Sequence, residues 1–477
     1  MSEKERARLD RAYQIFREAV ERVPAYPRFL DGLGVDSASV TSPDDFGKLP
    51  VADKDSYLRA YPLSDLCLGG SLEGMHAVYR SAGTTGEPLF WPRLPEEEQE
   101  LPRRMAEEFR FAFRTDRRHT LVLVALPLGS WLRGGETTWA THAAALASEG
   151  GIACATPGDD PDEVLRVIET LGPHFAQMVL LCYPPRLLPL LDAGDDRGVD
   201  WKTMSVRIAF IGESVSEEWR TRVGGRLGLT ESELLATWGS YGGTETGRVG
   251  RETPFTVLLR RRASESPALC EELFGRAAPP FLCERDPAAA QVEVVGGELV
   301  FTKRQAVPLV RYNIHDRGAI LSRHRVLDVC RSHGLDLAAD LGGYGFGAAA
   351  EGDAPLLAVY GRSTGAVRFL GVEIRPEDVS DAIKRSALRG RFAGRLVLRL
   401  DSGHLGEPRL VITAELADGV VPDVELAHHF GREIVKGLRE SSPAFTALCE
   451  RIDETGGRCE PDVDLRFFGD PDLEIPG

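Results

Sequence analysis

Hydrophobic and polar positions along this 477-residue chain change rhythm three times, and each change marks a different kind of element. The charged N-terminus opens an amphipathic helix that runs through Val20. Residues 1 to about 75 read as a helical cap, with Ser42-Pro43-Asp44-Asp45 and Ser64-Asp65 supplying side chains that cap helix starts. From there to about Thr237, apolar runs alternate with amphipathic segments, which is α/β layering. Thr120 to Leu126, Gln177 to Cys182 and Val206 to Ile211 read as strands; the first is a continuous apolar run, expected of a strand covered on both faces. Trp139 to Glu149, Pro161 to Leu171 and Arg186 to Asp192 read as helices. Beyond Gly250 short strands separated by Gly and Pro, among them Val292 to Val295, Glu298 to Phe301 and Leu309 to Tyr312, predict a small β-rich subdomain. A linker near Gly361 leads into an α+β region with strands over Val367 to Leu370 and Arg395 to Leu400 and a helix over Pro376 to Ser386. Gly342 to Ala350 reads as a flexible loop near that boundary.

Length and composition fit this organisation. A chain of 477 residues, 43% hydrophobic, exceeds one ordinary core and predicts two or more domains. A formal charge of −16 disfavours nucleic acid and anionic lipid as partners, and Arg260-Arg261-Arg262 reads as a short solvated surface run. The N-terminus lacks the apolar core of a signal peptide, and the apolar stretches Leu121 to Leu128 and Met178 to Leu191 are too short or too broken to span a membrane, so a cytoplasmic protein is expected. Eight cysteines without a Cys-x-x-Cys pair are expected to be reduced thiols, in preference to a zinc site from Cys270, Cys283 and Cys330 with His324 or His333.

The chemistry concentrates in a few short runs. Tyr79-Arg80-Ser81-Ala82-Gly83-Thr84-Thr85-Gly86-Glu87-Pro88 is rich in small and hydroxyl-bearing residues and lies between two segments that read as strands, Met75 to Arg80 and Leu89 to Arg93. Glycines let backbone N–H groups turn toward an anion, and Ser and Thr add donors, so this is an oxyanion cradle joining two strands. It lacks the Gly-x-x-x-x-Gly-Lys-Ser/Thr spacing of a Walker loop. Three further runs follow in order: Trp238-Gly239-Ser240-Tyr241-Gly242-Gly243-Thr244-Glu245, Val310-Arg311-Tyr312-Asn313-Ile314-His315-Asp316 and Tyr360-Gly361-Arg362-Ser363.

With the first loop, this ordered set resembles the adenylate-forming superfamily of acyl-CoA synthetases, peptide-synthetase adenylation domains and luciferases. Leu49-Pro50-Val51-Ala52-Asp53-Lys54, Cys182-Tyr183-Pro184-Pro185 and Gly371-Val372-Glu373-Ile374-Arg375-Pro376-Glu377 are similar to the phenylacetate-CoA ligase and coenzyme F390 synthetase-like branch, over about residues 49–443. The resemblance implies a large N-terminal adenylation domain, residues 1–360, of stacked α/β subdomains plus the β-rich one, and a smaller mobile α+β domain, residues 361–477. It implies ATP and Mg²⁺, a small or aromatic carboxylic acid as substrate, and coenzyme A as acceptor. An amine or a carrier-protein thiol is the alternative acceptor, and a non-catalytic nucleotide-binding protein the remaining reading.

Residue by residue, Ser81, Gly83, Thr84, Thr85 and Gly86 would hold the outer phosphates, Thr244 the α-phosphate and Glu245 the metal ion. Tyr241, Gly212 and Glu213 would line adenine, Asp316 would accept from the ribose hydroxyls, and Arg362 would approach ribose or phosphate at the domain junction. Trp131, Gly134, Gly135 and Tyr183, with Trp139 nearby, would form the acid pocket. Three positions depart from the pattern. Glu87 stands in place of the usual loop Lys, Thr364 in place of a hinge Asp, and no Lys follows Lys436; Arg458, beside Gly456-Gly457, is one candidate substitute.

Overall fold

A computed structural model describes residues 3–81, 89–276, 278–286, 289–362, 365–370, 372–402, 408–454, 459–470 and 473. Eleven strands form one large sheet. Five run parallel in the order Ile152–Ala155, Thr120–Ala125, Gln177–Cys182, Val206–Phe210, Thr237–Gly243. The sheet then turns antiparallel through Gly247–Arg251, Phe281–Arg285, Leu356–Arg362, Leu309–Leu321, Glu298–Lys303 and Gln291–Val295.

The parallel half obeys its sequence pattern closely. Because side chains alternate across a strand, Leu121, Leu123 and Ala125 enter one core while Val122 and Val124 enter the other. Met178, Leu180 and Cys182 likewise oppose Val179 and Leu181. Each fully buried Leu or Val contributes about 1.5–3 kcal/mol, so a strand covered on both faces is fixed in register.

Thr237–Gly243 is the seam, parallel to one neighbour and antiparallel to the other. Glu252, wholly buried just beyond the partner strand, anchors it: its Oε2 accepts from Gly239 N at 2.9 Å, and its Oε1 lies 2.7 Å from Arg220 Nη2 and 3.0 Å from Arg260 Nη1. Arg260 is therefore an interior residue and not the solvated surface its basic run suggests. It sits on Pro254–Glu265, which with Pro267–Phe274, Arg323–Ser332 and Leu337–Gly343 inserts helices into the region read as β-rich. Part of the Gly342 to Ala350 loop is likewise helical, Gly347–Ala350 forming a 3₁₀ turn.

The N-terminal helices Glu3–Arg22 and Ala25–Gly32 build a third core with Tyr57, Val310 and Tyr312, so the cap packs on the long strand Leu309–Leu321. Ala52 bridges Tyr312, and the Arg311 guanidinium donates to the Gly47 and Leu49 carbonyls, which carries Lys54 and Asp55 to the cleft. The C-terminal layer has its own core. Phe392–Ser402, Pro408–Leu416 and Asp462–Arg466 form a three-stranded sheet, covered by Pro376–Arg385, Val424–Ser441 and Pro443–Glu454.

Cysteine usage differs from expectation at one place. Cys449 and Cys459 are joined as a disulfide, brought together where the chain turns back from helix Pro443–Glu454 toward the last strand. The zinc alternative fails on geometry: Cys283 lies in one core and Cys270 and Cys330 in the other, while His324 and His333 pair with Asp328 and Glu272. Among the described residues no cluster of His, Cys, Asp and Glu could hold a metal by itself, and no helix is long and apolar enough to cross a membrane.

Candidate active site

The parallel strands all point their carboxyl ends at one cleft of about 1300 Å³. This is where open α/β sheets bind ligands, because the loops there are free of sheet hydrogen bonds. Leu126-Pro127, Tyr183-Pro184, Ile211-Gly212-Glu213 and Tyr241 to Glu245 each follow a parallel strand and each line it. Residues 376–469 supply the facing wall, with Lys384, Arg395 and Glu415 prominent.

The structure brings most of the expected residues together. Ser81, Trp131, Gly134, Tyr183, Gly212, Glu213, Tyr241, Thr244, Glu245 and Asp316 line this single cleft. Gly83, Thr84, Thr85, Gly86 and Glu87 lie outside the described residues, as do Thr364, Arg458 and the side chain of Arg362. The Arg362 backbone is placed, opposite Asp316 in the strand register. Gly135 is not on the wall: a Cβ there would stand 2.9 Å from the Tyr79 ring, so this glycine serves helix packing. Trp139 is also elsewhere, edge-on to His76. Lys436 does not reach the cleft either.

Two pairs organise the nucleotide-sized part. The Tyr241 hydroxyl donates to Asp316 Oδ2 at 2.6 Å, with both side chains buried, so two residues 75 apart in sequence form one polar unit. The Tyr183 hydroxyl donates to Glu213 Oε1 at 2.8 Å, and burial beside that carboxylate raises the phenol well above its ordinary range. Gly212 has φ +102, and a Cβ there would collide with the Arg133 guanidinium. Only glycine both adopts that backbone and leaves room for Arg133.

Glu245 is the one candidate metal ligand in the turn Gly243 to Gly247. Its carboxylate is 14% exposed and 3.8 Å from Lys54 Nζ. One hard carboxylate suits Mg²⁺, which keeps several waters and takes its remaining oxygens from phosphates, and does not require a protein cage.

Sequence reading missed the cleft's cations. Arg80 lies over the Trp131 ring, 4.2 Å from its centroid, Arg133 backs Gly212, and Arg395 enters from the facing wall. Arg395 is clamped by Glu415 at 3.2 Å and the Leu473 carbonyl at 2.8 Å, just after a bulge that contains Gly394 at φ +104. Bulges commonly re-aim a side chain in this way. Ten Lys and Arg and ten Asp and Glu line the cleft among the described residues, so it is locally neutral on a chain of −16, which favours an anionic ligand there over the rest of the surface.

Comparison with known proteins agrees with this geometry. No family model matches the chain. A phenylacetate-coenzyme A ligase of Aromatoleum evansii is 24% identical over 318 residues, 66% of this chain and 66% of that protein, slightly under two thirds of its length. The solved structure of 2-hydroxyisobutyryl-CoA ligase in the postadenylation state, in complex with R3-HIB-AMP, superposes with a TM-score of 0.61 at 14% identity, covering 100% of this chain and 89% of that one. The same ligase with 2-HIB-AMP gives 0.58 at 16% identity, covering 98% and 88%. The chain thus has the adenylate-forming fold and is a homologue of a phenylacetate-coenzyme A ligase.

Proposed function

We propose that this protein uses ATP and Mg²⁺ to activate a small carboxylic acid as an acyl-adenylate and then transfers the acyl group to coenzyme A. A carboxylate oxygen attacks the α-phosphorus and pyrophosphate leaves; the thiol sulfur of coenzyme A then attacks the acyl carbonyl, and AMP leaves as its proton is lost to solvent. The observation that carries the reading is the meeting of Ser81, Thr244, Glu245, Tyr241 and Asp316, drawn from three separate parts of the chain, around one cleft.

In this reading Asp316 accepts from the ribose hydroxyls, held for that task by Tyr241, and Tyr241 with Gly212-Glu213 borders the base. Ser81 and Thr244 donate to phosphate oxygens, and Glu245 holds the metal. Mg²⁺, when bound, neutralises phosphate charge as it builds up on the leaving pyrophosphate. The acid lies toward Trp131, Gly134 and Tyr183, where Arg80 and Arg133 offset its negative charge. We place the domain boundary at residues 360/361, just before the last two residues of the final strand of the large sheet, Leu356–Arg362, where Gly361 and then Gly365 hold φ of +116 and +126.

Acid-dependent exchange of labelled pyrophosphate into ATP, run over aromatic and short aliphatic acids and followed by thioester formation with coenzyme A, tests the proposal. Exchange with at least one acid and a thioester product are expected. No exchange and no AMP with any acid would overturn it.

A further inference from the structure

The turn bearing Thr244 and Glu245 is held from beneath by residues that do not line the cleft. Three successive carbonyls in it face side-chain donors, two of them, Arg93 and Gln305, buried. Gln305 Nε2 donates to the Glu245 carbonyl at 2.7 Å, Lys303 Nζ donates to the Thr246 carbonyl at 2.7 Å, and Arg93 Nη2 approaches the Thr244 carbonyl at 3.5 Å. Gly243 N closes the turn by donating to Thr246 Oγ1 at 2.9 Å. The backbone of this turn thus has side-chain partners at consecutive positions, two at 2.7 Å and one at 3.5 Å.

The approach path is also reserved. Gly247 has φ +60, and a Cβ there would stand 2.7 Å from Lys303 Nζ, so any larger residue would push the ammonium off its carbonyl. Gln305 is fully buried. Its neighbour Ala306 donates its N–H to Glu97 Oε2 at 2.9 Å, and Leu94 N donates to the same oxygen at 2.7 Å. Arg93 pairs with Glu136 at 3.3 Å and Glu97 at 3.8 Å. Arg93 belongs to the strand Phe90–Arg93, which leaves the small-residue loop whose first member, Ser81, lines the cleft. The charged plate of Arg93, Glu97, Glu136 and Lys303 therefore joins the strand from that loop to the Thr244-Glu245 turn.

We propose that Lys303 and Gln305 are positioning residues for the phosphate end of the nucleotide, fixing the peptide groups of Glu245 and Thr246 so that the Thr244 hydroxyl and Glu245 carboxylate face the cleft together. The proposal rests on reading the cleft as a nucleotide site. It distinguishes the tail of the ligand from its head, because Tyr241 and Asp316 are held by each other and not by this plate.

Titration calorimetry with adenosine and with Mg·ATP separates the two ends. Lys303→Met and Gln305→Leu are each expected to weaken Mg·ATP by about tenfold or more while adenosine affinity stays within about twofold, and Lys303→Arg to recover most of the loss. Mg·ATP affinity unchanged in folded variants, or Mg·ATP and adenosine weakened equally, would overturn the proposal. Gln305→Leu, which removes no charge, keeps the test decisive if Lys303→Met does not fold. Wild-type protein that binds neither ligand would remove the nucleotide reading, and this proposal with it; wild-type binding with unresponsive variants would remove the proposal alone.

Discussion

The two walls of the cleft are held by different physics. On the sheet side, Tyr241 and Asp316 satisfy each other in the interior, and the turn after the seam strand rests on Gln305 and Lys303. Opposite them, the C-terminal layer meets the rest of the molecule mainly through partly exposed pairs, Arg222 with Asp418 at 3.0 Å, Arg385 with Glu271 at 3.1 Å and the Arg389 guanidinium on the Ser264 carbonyl at 3.2 Å, beside one less exposed and longer pair, Arg276 with Asp381 at 4.0 Å. Buried networks fix geometry because breaking them strands a charge, whereas exposed pairs contribute little and exchange readily with water. One wall thus holds its groups by buried pairs, and the other meets it through contacts that cost little to exchange, an arrangement that suits the proposed sequence of adenylate formation followed by thiol attack.

The sharpest way to break the fixed wall is at Glu252, which is fully buried between Arg220 and Arg260. Glu252→Gln leaves two cations short of their counter-charge, and about 3–5 kcal/mol of stability should be lost, read from chemical denaturation. A loss below about 1 kcal/mol would mean the seam strand is held otherwise.

Asp316→Ala comes next. On the proposed reading it removes the ribose acceptor and the 2.6 Å bond to the Tyr241 hydroxyl, so acid-dependent pyrophosphate exchange should fall by about 10²-fold or more in a protein that still folds. Retention of near-normal exchange would remove Asp316 from the site.

The C-terminal wall should respond differently. Arg222 stacks on Phe468 at 4.1 Å and pairs with Asp418, which is 66% exposed, so Arg222→Ala should cost no more than about 1 kcal/mol of stability. Its effect should fall on the ratio of thioester formation to adenylation, and raised salt should mimic it in the wild type. Equal loss in both half-reactions would argue against a separate movable wall.

The smallest effect concerns pH. Loss of hydration, with repulsion from Arg93, pushes Lys303 from an ordinary 10.5 down to about 8. Between those values the unfolded chain binds more protons at this site than the folded one, so this residue's contribution makes stability rise with pH across that window. Lys303→Met should flatten that rise relative to wild type, as measured by denaturation at pH 8 and pH 10.5.

The contrast between the walls also explains what could be read from the chain alone. The strands Thr120–Ala125 and Gln177–Cys182 announce themselves because two-sided burial demands an unbroken apolar run. Tyr241, Thr244, Glu245 and Asp316 stand in short glycine-flanked or turn-like runs whose order is itself a signal. Helix Pro254–Glu265 escaped notice since Phe255 through Leu259 are all buried, leaving no polar face and hence no helical period. Arg395 became a site residue only through tertiary folding, since an isolated charge far along the chain carries no local mark of a shared cleft, and Lys54 and Arg133 stood inside marked runs without a role of their own. The Cys449–Cys459 pair was hidden for the same reason, as a ten-residue spacing has no pattern of its own until the helix turns back.

The central claim is that these distant segments close on a single nucleotide. A crystal structure of the protein with ATP and Mg²⁺ tests it most directly. The account predicts ribose hydroxyls on the Asp316 carboxylate and the phosphate tail running past Thr244 and Glu245 toward Ser81; a nucleotide bound elsewhere, or in this cleft with its sugar away from Asp316, would contradict it.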